Sequence, residues 1–185
     1  TGTGFGIALA DFDADGHNDL VVAQGRVQAA RRPAAGELPP RWAWYGEKNQ
    51  FLRGVGEGKF RLANGGDFGA KAEISRALAV FAEDADGDLD IVVPNTAGPL
   101  RLYENRMAAK GHWIACEALG PRGAALATGA RLRLVVGERT FGARVGAATS
   151  YQTACATPLH FGLGPATRIA RLEVTWPNGE TDTHA

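Results

Sequence analysis

The chain carries no net charge, its Lys+Arg and Asp+Glu totals being equal at 20 each. The basic excess or stripe of a nucleic-acid binder is therefore missing. No apolar run approaches the roughly 20 residues that cross a bilayer as a helix, so membrane insertion is not expected. Cysteine is scarce, with only Cys116 and Cys155. So few thiols argue against a zinc site, and leave either two buried small hydrophobes or one disulfide. Stretches free of Gly, Pro and polar breaks are also missing, which argues against long helices. The first residues, Thr1 to Gly6, include no initiator Met, basic segment or apolar leader, and read as the interior of a domain.

Glycine, by contrast, is plentiful at 25 of 185 residues. Short strands joined by tight turns fit that composition, and the length allows one domain or two small ones. The acidic residues are uneven: two tight clusters hold nine of the twenty. The first is Asp11-Phe12-Asp13-Ala14-Asp15-Gly16-His17-Asn18-Asp19. The segment from Gly6 to Ala23 recurs from Ala77 to Pro94, with Gly16 aligned to Gly87 at an offset of 71 residues. Both copies read as strand, acidic loop, strand. A short aromatic-bearing strand follows each, at 49–53 and 100–105, and the first copy continues through a glycine turn at 56–58 into a further strand. Four short strands per unit is what one blade of a β-propeller requires.

Between these features, Arg26 to Arg41 is rich in Arg, Ala and Pro and shows no periodicity. It reads as a surface insertion within the first blade, its arginines solvated or, alternatively, touching a partner. Trp42, Trp44 and Tyr45 follow, as blade packing or as a binding platform. Beyond Gly111 the pattern changes to three alternating strands, at 112–119, 130–136 and 169–176. In the second, Leu132 and Leu134 share one face and Arg131 and Arg133 the other, the signature of a sheet with one wet face. A domain boundary is placed near Lys110.

The aspartate loop carries the chemistry. Calcium is a hard cation that takes six to eight oxygens from carboxylates, carbonyls and water. Side chains of Asp11, Asp13 and Asp15 converge from alternate positions, Gly16 permits the reversal, the His17 carbonyl points inward, and Asp19 closes the ring. Without a cation these carboxylates repel one another, so the metal is expected to contribute to folding. Val22 stands where an EF-hand places its bidentate Glu, and strands flank the loop, so this is not an EF-hand. A metal-free turn held by Asx hydrogen bonds is the alternative. The second loop lacks the first ligand, having Ala82 there. It retains Asp84, Asp86 and Asp90, with Asp88 offering a carbonyl, and forms either a weaker calcium site or an empty turn.

These residues resemble a known family. The loop and its flanks, from Gly4-Phe5-Gly6 to Val22, are similar to the FG-GAP/VCBS repeat of integrin-α-like propellers. Downstream, His112-Trp113, Thr128 to Leu132, Tyr151, Leu159-His160-Phe161-Gly162-Leu163-Gly164 and Leu172 to Gly179 resemble the ASPIC/UnbV domain. Together, in this order, they resemble the cartilage acidic protein-like family. The resemblance implies an all-β chain. Two propeller repeats occupy residues 1–110 (about 1–66 and 67–110), and an ASPIC/UnbV-like, sandwich-like domain occupies 111–185. It implies structural calcium, an exported location (secreted, periplasmic or cell-surface) and no catalytic activity to carry over. Two blades cannot close a ring, so a C-terminal piece of a larger protein, or a divergent or truncated relative, is expected. The family's C-terminal domain continues for another strand after the Trp176-Pro177-Asn178-Gly179 turn, whereas this chain stops at Ala185.

No nucleophile elbow or zinc motif accompanies His160 and the nearby Ser150-Tyr151. His160 reads as a packed strand residue, and Gly162 and Gly164 as turn positions. The expected function is a non-catalytic, calcium-stabilised extracellular module for protein or glycan binding or adhesion. The alternative is an enzyme or enzyme-associated domain acting on a glycan or secondary metabolite where propeller and C-terminal domain meet.

Overall fold

The computed structural model describes residues 2–35, 37–82, 86–108, 111–120, 123, 125–146, 150–154 and 158–185. These residues form an all-β chain with no α-helix among them, and two short 3-10 turns lie at Ala43–Tyr45 and Gly66–Gly69. No helix among them is long and apolar enough to cross a membrane.

The first repeat folds as a four-stranded antiparallel meander of β1 (Gly4–Ala10), β2 (Asp19–Gln24), β4 (Gln50–Gly54) and β5 (Phe60–Ala63). A two-residue strand, β3 (Glu47–Lys48), leaves this sheet to pair with β6 (Ala72–Glu73) of the next unit. Among the described residues the sheet of the second repeat has three strands, β7 (Ala79–Phe81), β8 (Asp90–Val93) and β9 (Arg101–Tyr103). Among the described residues the sheets do not close into a ring.

The alternation of β2 explains the packing. Val21 and Ala23 point inward and are fully buried, as period-2 side chains on one face should be. They join Ala8, Phe12 and Phe51 of the first unit with Phe68, Leu78, Val80, Leu89, Ile91 and Val93 of the second in one apolar cluster. The edge-on pair Phe12–Phe51, 5.9 Å between ring centres, ties the acidic loop to that core. Two buried carboxylates outside the loop are satisfied locally. Glu73 accepts from Arg101 Nε (2.8 Å) and Tyr103 OH (3.1 Å), and Glu47 accepts from the Thr3 N–H (2.8 Å).

The described residues from Arg26 to Arg41 contain no strand, as expected of an insertion. Trp42 and Tyr45 pack edge-on against each other at 6.0 Å. They do not belong to the apolar cluster, so these aromatics serve the insertion more than the interior of the first unit.

The C-terminal part has its own core, built from Cys116, Ala130, Leu132, Leu134, Val136, Val145, Phe161, Leu163 and Val174 among others. Its larger sheet runs β12 (Arg139–Arg144), β11 (Arg131–Val136), β14 (Arg171–Thr175), β15 (Thr181–His184). Leu132 and Leu134 are buried and Arg131 and Arg133 exposed, so the predicted two-faced strand is present. β15 corrects one expectation: the strand after the Trp-Pro-Asn-Gly turn is there, paired with β14 from Leu172↔His184 to Thr175↔Thr181. The turn is closed by the Trp176 N–H donating to the Glu180 carbonyl (2.8 Å). A separate ribbon pairs β10 (His112–Cys116) with β13 (Leu159–Gly164). Gly162 and Gly164 are thus strand positions, not a turn. Cys155 and Lys110, and with them the disulfide question and the predicted boundary, lie outside the described residues.

Candidate metal centre

The first acidic loop is held between β1 and β2, whose register ends on the pair Ala10↔Asp19. That pairing brings the two ends of the loop side by side and forces the eight residues between them into a compact turn. Gly16 takes a positive φ of 85°, where an L side chain is strained. Ala14 also sits in the left-handed region, at φ 55°. For a residue with a Cβ this is an uncommon conformation that persists only where surrounding contacts impose it.

Asp11, Asp13 and Asp15 each offer a carboxylate oxygen within 4.8 Å of the others. Asp11 is fixed by its own loop, accepting from the Asp15 N–H (3.1 Å) and the Gly16 N–H (2.7 Å). Asp15 accepts from the His17 N–H at 2.9 Å. Asp19, only 1% exposed, does not belong to the three-carboxylate group. Its oxygens accept from the Phe12 N–H (3.2 Å) and the Gly54 N–H (2.8 Å), so it braces the loop against β4.

Burial, opposed by the Gly16 N–H and aided by the charges of Asp15, Asp13 and Asp19, pushes the Asp11 pKa up to about 6. Burial also raises Asp19 to about 6, against the Gly54 and Phe12 N–H groups. Asp13 is raised by burial and by Asp15, with Arg53 pulling the other way. Four carboxylates so placed are costly to ionise together. A bound dication would remove that cost, and an all-oxygen donor set suits a hard cation such as calcium.

Sequence reasoning overlooked Arg53, which pairs with Asp13 Oδ2 and, at 3.2 Å, with Asp15 Oδ2. The β2–β4 register sets Leu20 opposite Leu52, placing Arg53 beside Asp19. In the second unit Ile91 faces Tyr103, so Glu104 holds the place that Arg53 holds in the first. Unlike Arg53, Glu104 is itself paired with a cation, Arg106 Nη2, at 2.8 Å.

The second loop repeats the bracing. Asp90, buried like Asp19, accepts from the Asn105 N–H (2.8 Å), the counterpart of the Asp19–Gly54 bond. Asp86 accepts from the Asp88 N–H at 3.1 Å. Asp84, the predicted ligand, lies outside the described residues. The two loops also communicate: Asn105 Nδ2 donates to the Phe12 carbonyl (2.8 Å).

The C-terminal part meets both loops. Arg139 Nη2 donates to the Gly16 carbonyl, and the Gly164 N–H donates to the Ala14 carbonyl (3.0 Å). Gly162 lies so close to Asp11 that a Cβ there would overlap Oδ2. His160 Nε2 lies 2.9 Å from the Gly87 carbonyl; a carbonyl only accepts, so this nitrogen carries the proton. Burial lowers the His160 pKa, and its ring stacks on Trp113 at 5.5 Å. No hydrogen bond joins His160 to Ser150 or Tyr151 among the described residues. Ser150 Oγ instead accepts from the Ile7 N–H (3.1 Å), and Tyr151 packs on Phe5 at 5.4 Å. A cleft of about 800 Å³ opens where these parts meet, lined by Leu9, Val80, Trp113, Phe141 and His160 among others.

Residues 120–185 form an ASPIC/UnbV domain, matching the family described as "ASPIC and UnbV". No curated protein matches the chain.

Proposed function

We propose that this chain with its ASPIC/UnbV domain is a non-catalytic, calcium-stabilised module that binds a protein or glycan outside the cytoplasm. Its two acidic repeats are read as FG-GAP/VCBS-type propeller blades. The observation that carries the reading is the convergence of Asp11, Asp13 and Asp15 within 4.8 Å. Asp19, buried beside them with a raised pKa, adds to the support. The His17 carbonyl would complete the first set; Asp84, Asp86, Asp90 and the Asp88 carbonyl would form a weaker second one. Calcium supplies charge neutralisation and ligand organisation, and no bond-making step. An extracellular module is tuned to roughly 0.1–1 mM calcium, which agrees with a secreted, periplasmic or cell-surface location.

Calorimetric titration of the chelator-treated chain tests this. Calcium is expected to bind and to raise the melting temperature, and Asp13→Ala to remove most of that rise. Absence of both binding and stabilisation at millimolar calcium overturns the reading.

A second reading rests on the cleft of about 800 Å³, a volume within the range of small-molecule sites. In it the junction accepts an apolar metabolite or part of a glycan, as an enzyme-associated domain would. Leu9, 60% exposed, lines this cleft. The fluorescent probe anilinonaphthalene sulfonate is expected to bind the folded chain and to lose its signal in Leu9→Asp. A folded chain that leaves the probe dark counts against the second reading.

A further inference from the structure

The three-carboxylate loop belongs to the N-terminal part, yet three of its backbone or side-chain groups are set by the C-terminal domain. The Gly164 N–H takes the Ala14 carbonyl at 3.0 Å, at the residue whose φ of 55° needs an external constraint. Arg139 takes the Gly16 carbonyl and lies 3.5 Å from His17 Nδ1. Gly162 backs directly onto the Asp11 carboxylate, and Asp11 is the acid whose oxygens organise the Asp15 and Gly16 N–H groups. The same strand, β13, reaches the second loop through His160 and the Gly87 carbonyl. One strand of the C-terminal domain thus bridges the two repeat-related loops.

We infer that Arg139, Gly162 and Gly164 are positioning residues for the first metal loop, so that calcium binding and docking of the C-terminal domain form one linked equilibrium. The inference rests on the calcium reading of the loop. Its logic is reciprocal. If docking preorganises the carboxylates, calcium must tighten docking by the same factor. Groups behind metal ligands typically change affinity by roughly 10–100-fold when lost. An added methyl at position 162 would push Asp11 out of the group, whereas removal of the Arg139 guanidinium would free the Gly16 peptide to rotate.

Titration of the full chain with calcium, by calorimetry and by hydrogen exchange over residues 159–164, tests the linkage. Gly162→Ala is expected to weaken calcium roughly 10–100-fold. Arg139→Leu should weaken it about tenfold, with Arg139→Lys recovering part of the loss because an ammonium can still donate to the Gly16 carbonyl. Calcium should slow exchange across 159–164 in the parent chain. If the parent chain binds no calcium, the metal reading itself fails. If it binds while exchange at 159–164 is unchanged and both Arg139 variants bind as the parent does, the linkage is wrong and the metal reading stands. The exchange and Arg139 measurements hold even where Gly162→Ala does not fold.

Discussion

Asp11 and Asp19 show at the residue scale what the loop costs without a metal. Burial raises their pKa values to about 6 in the folded chain, against an ordinary aspartate value of 3.8. Folding of the metal-free chain therefore takes up protons between those values, and the folded state binds more protons than the unfolded one. Stability is then highest below about pH 4 as far as these two groups are concerned, and falls as the pH rises through about 6. The loss is on the order of a few kcal/mol. With calcium bound the sign reverses, because the metal holds the carboxylates ionised and acid displaces it. Melting temperatures in chelator are expected to fall from pH 5 to pH 7, and in calcium to rise. Parallel slopes in the two conditions would contradict the assignment. The aspartates themselves were plain in the sequence, since their spacing is local. Arg53 and Arg139 were not, because each arrives from another strand, Arg53 some 38 and Arg139 some 123 positions away.

At the scale of elements, β11 illustrates how much periodicity can carry. Alternation placed Leu132 and Leu134 inside, and both are buried, Leu134 fully. Leu134 stands between Phe141 on β12 and Leu172 on β14, so its loss leaves a hole in the middle of the sheet. Leu134→Ala is expected to destabilise the chain by about 2–5 kcal/mol. Arg133→Ala removes the half-exposed pair with Glu173 (2.9 Å) and should leave stability close to that of the parent chain. Urea unfolding followed by tryptophan fluorescence separates the two, and equal effects would mean that the sheet's faces are misassigned. The glycines of β13 were harder to read. Gly162 and Gly164 looked like a turn because glycine usually marks one; in β13 Gly162 instead admits the close approach of Asp11.

At the scale of the whole molecule, the two repeats share one apolar cluster and the C-terminal domain has another. Polar contacts join them, namely Gly164 to Ala14, Arg139 to Gly16, and Thr153 Oγ1 donating to the Leu78 carbonyl (2.6 Å), together with the Phe5–Tyr151 ring pair. A junction of that kind depends on loop shape, so whatever shapes the first loop also governs how the domain sits. The sequence alone determined the strand alternation, the paired acidic loops and the ASPIC/UnbV motifs, because each is written in neighbouring residues at a fixed period. Only the tertiary structure decided that Arg53 pairs with the first loop while Glu104 takes the matching place in the second unit, that β15 joins the C-terminal sheet, and that β13 lies across both loops. Those are contacts between distant segments. They depend on strand register and domain docking, which residue spacing does not encode.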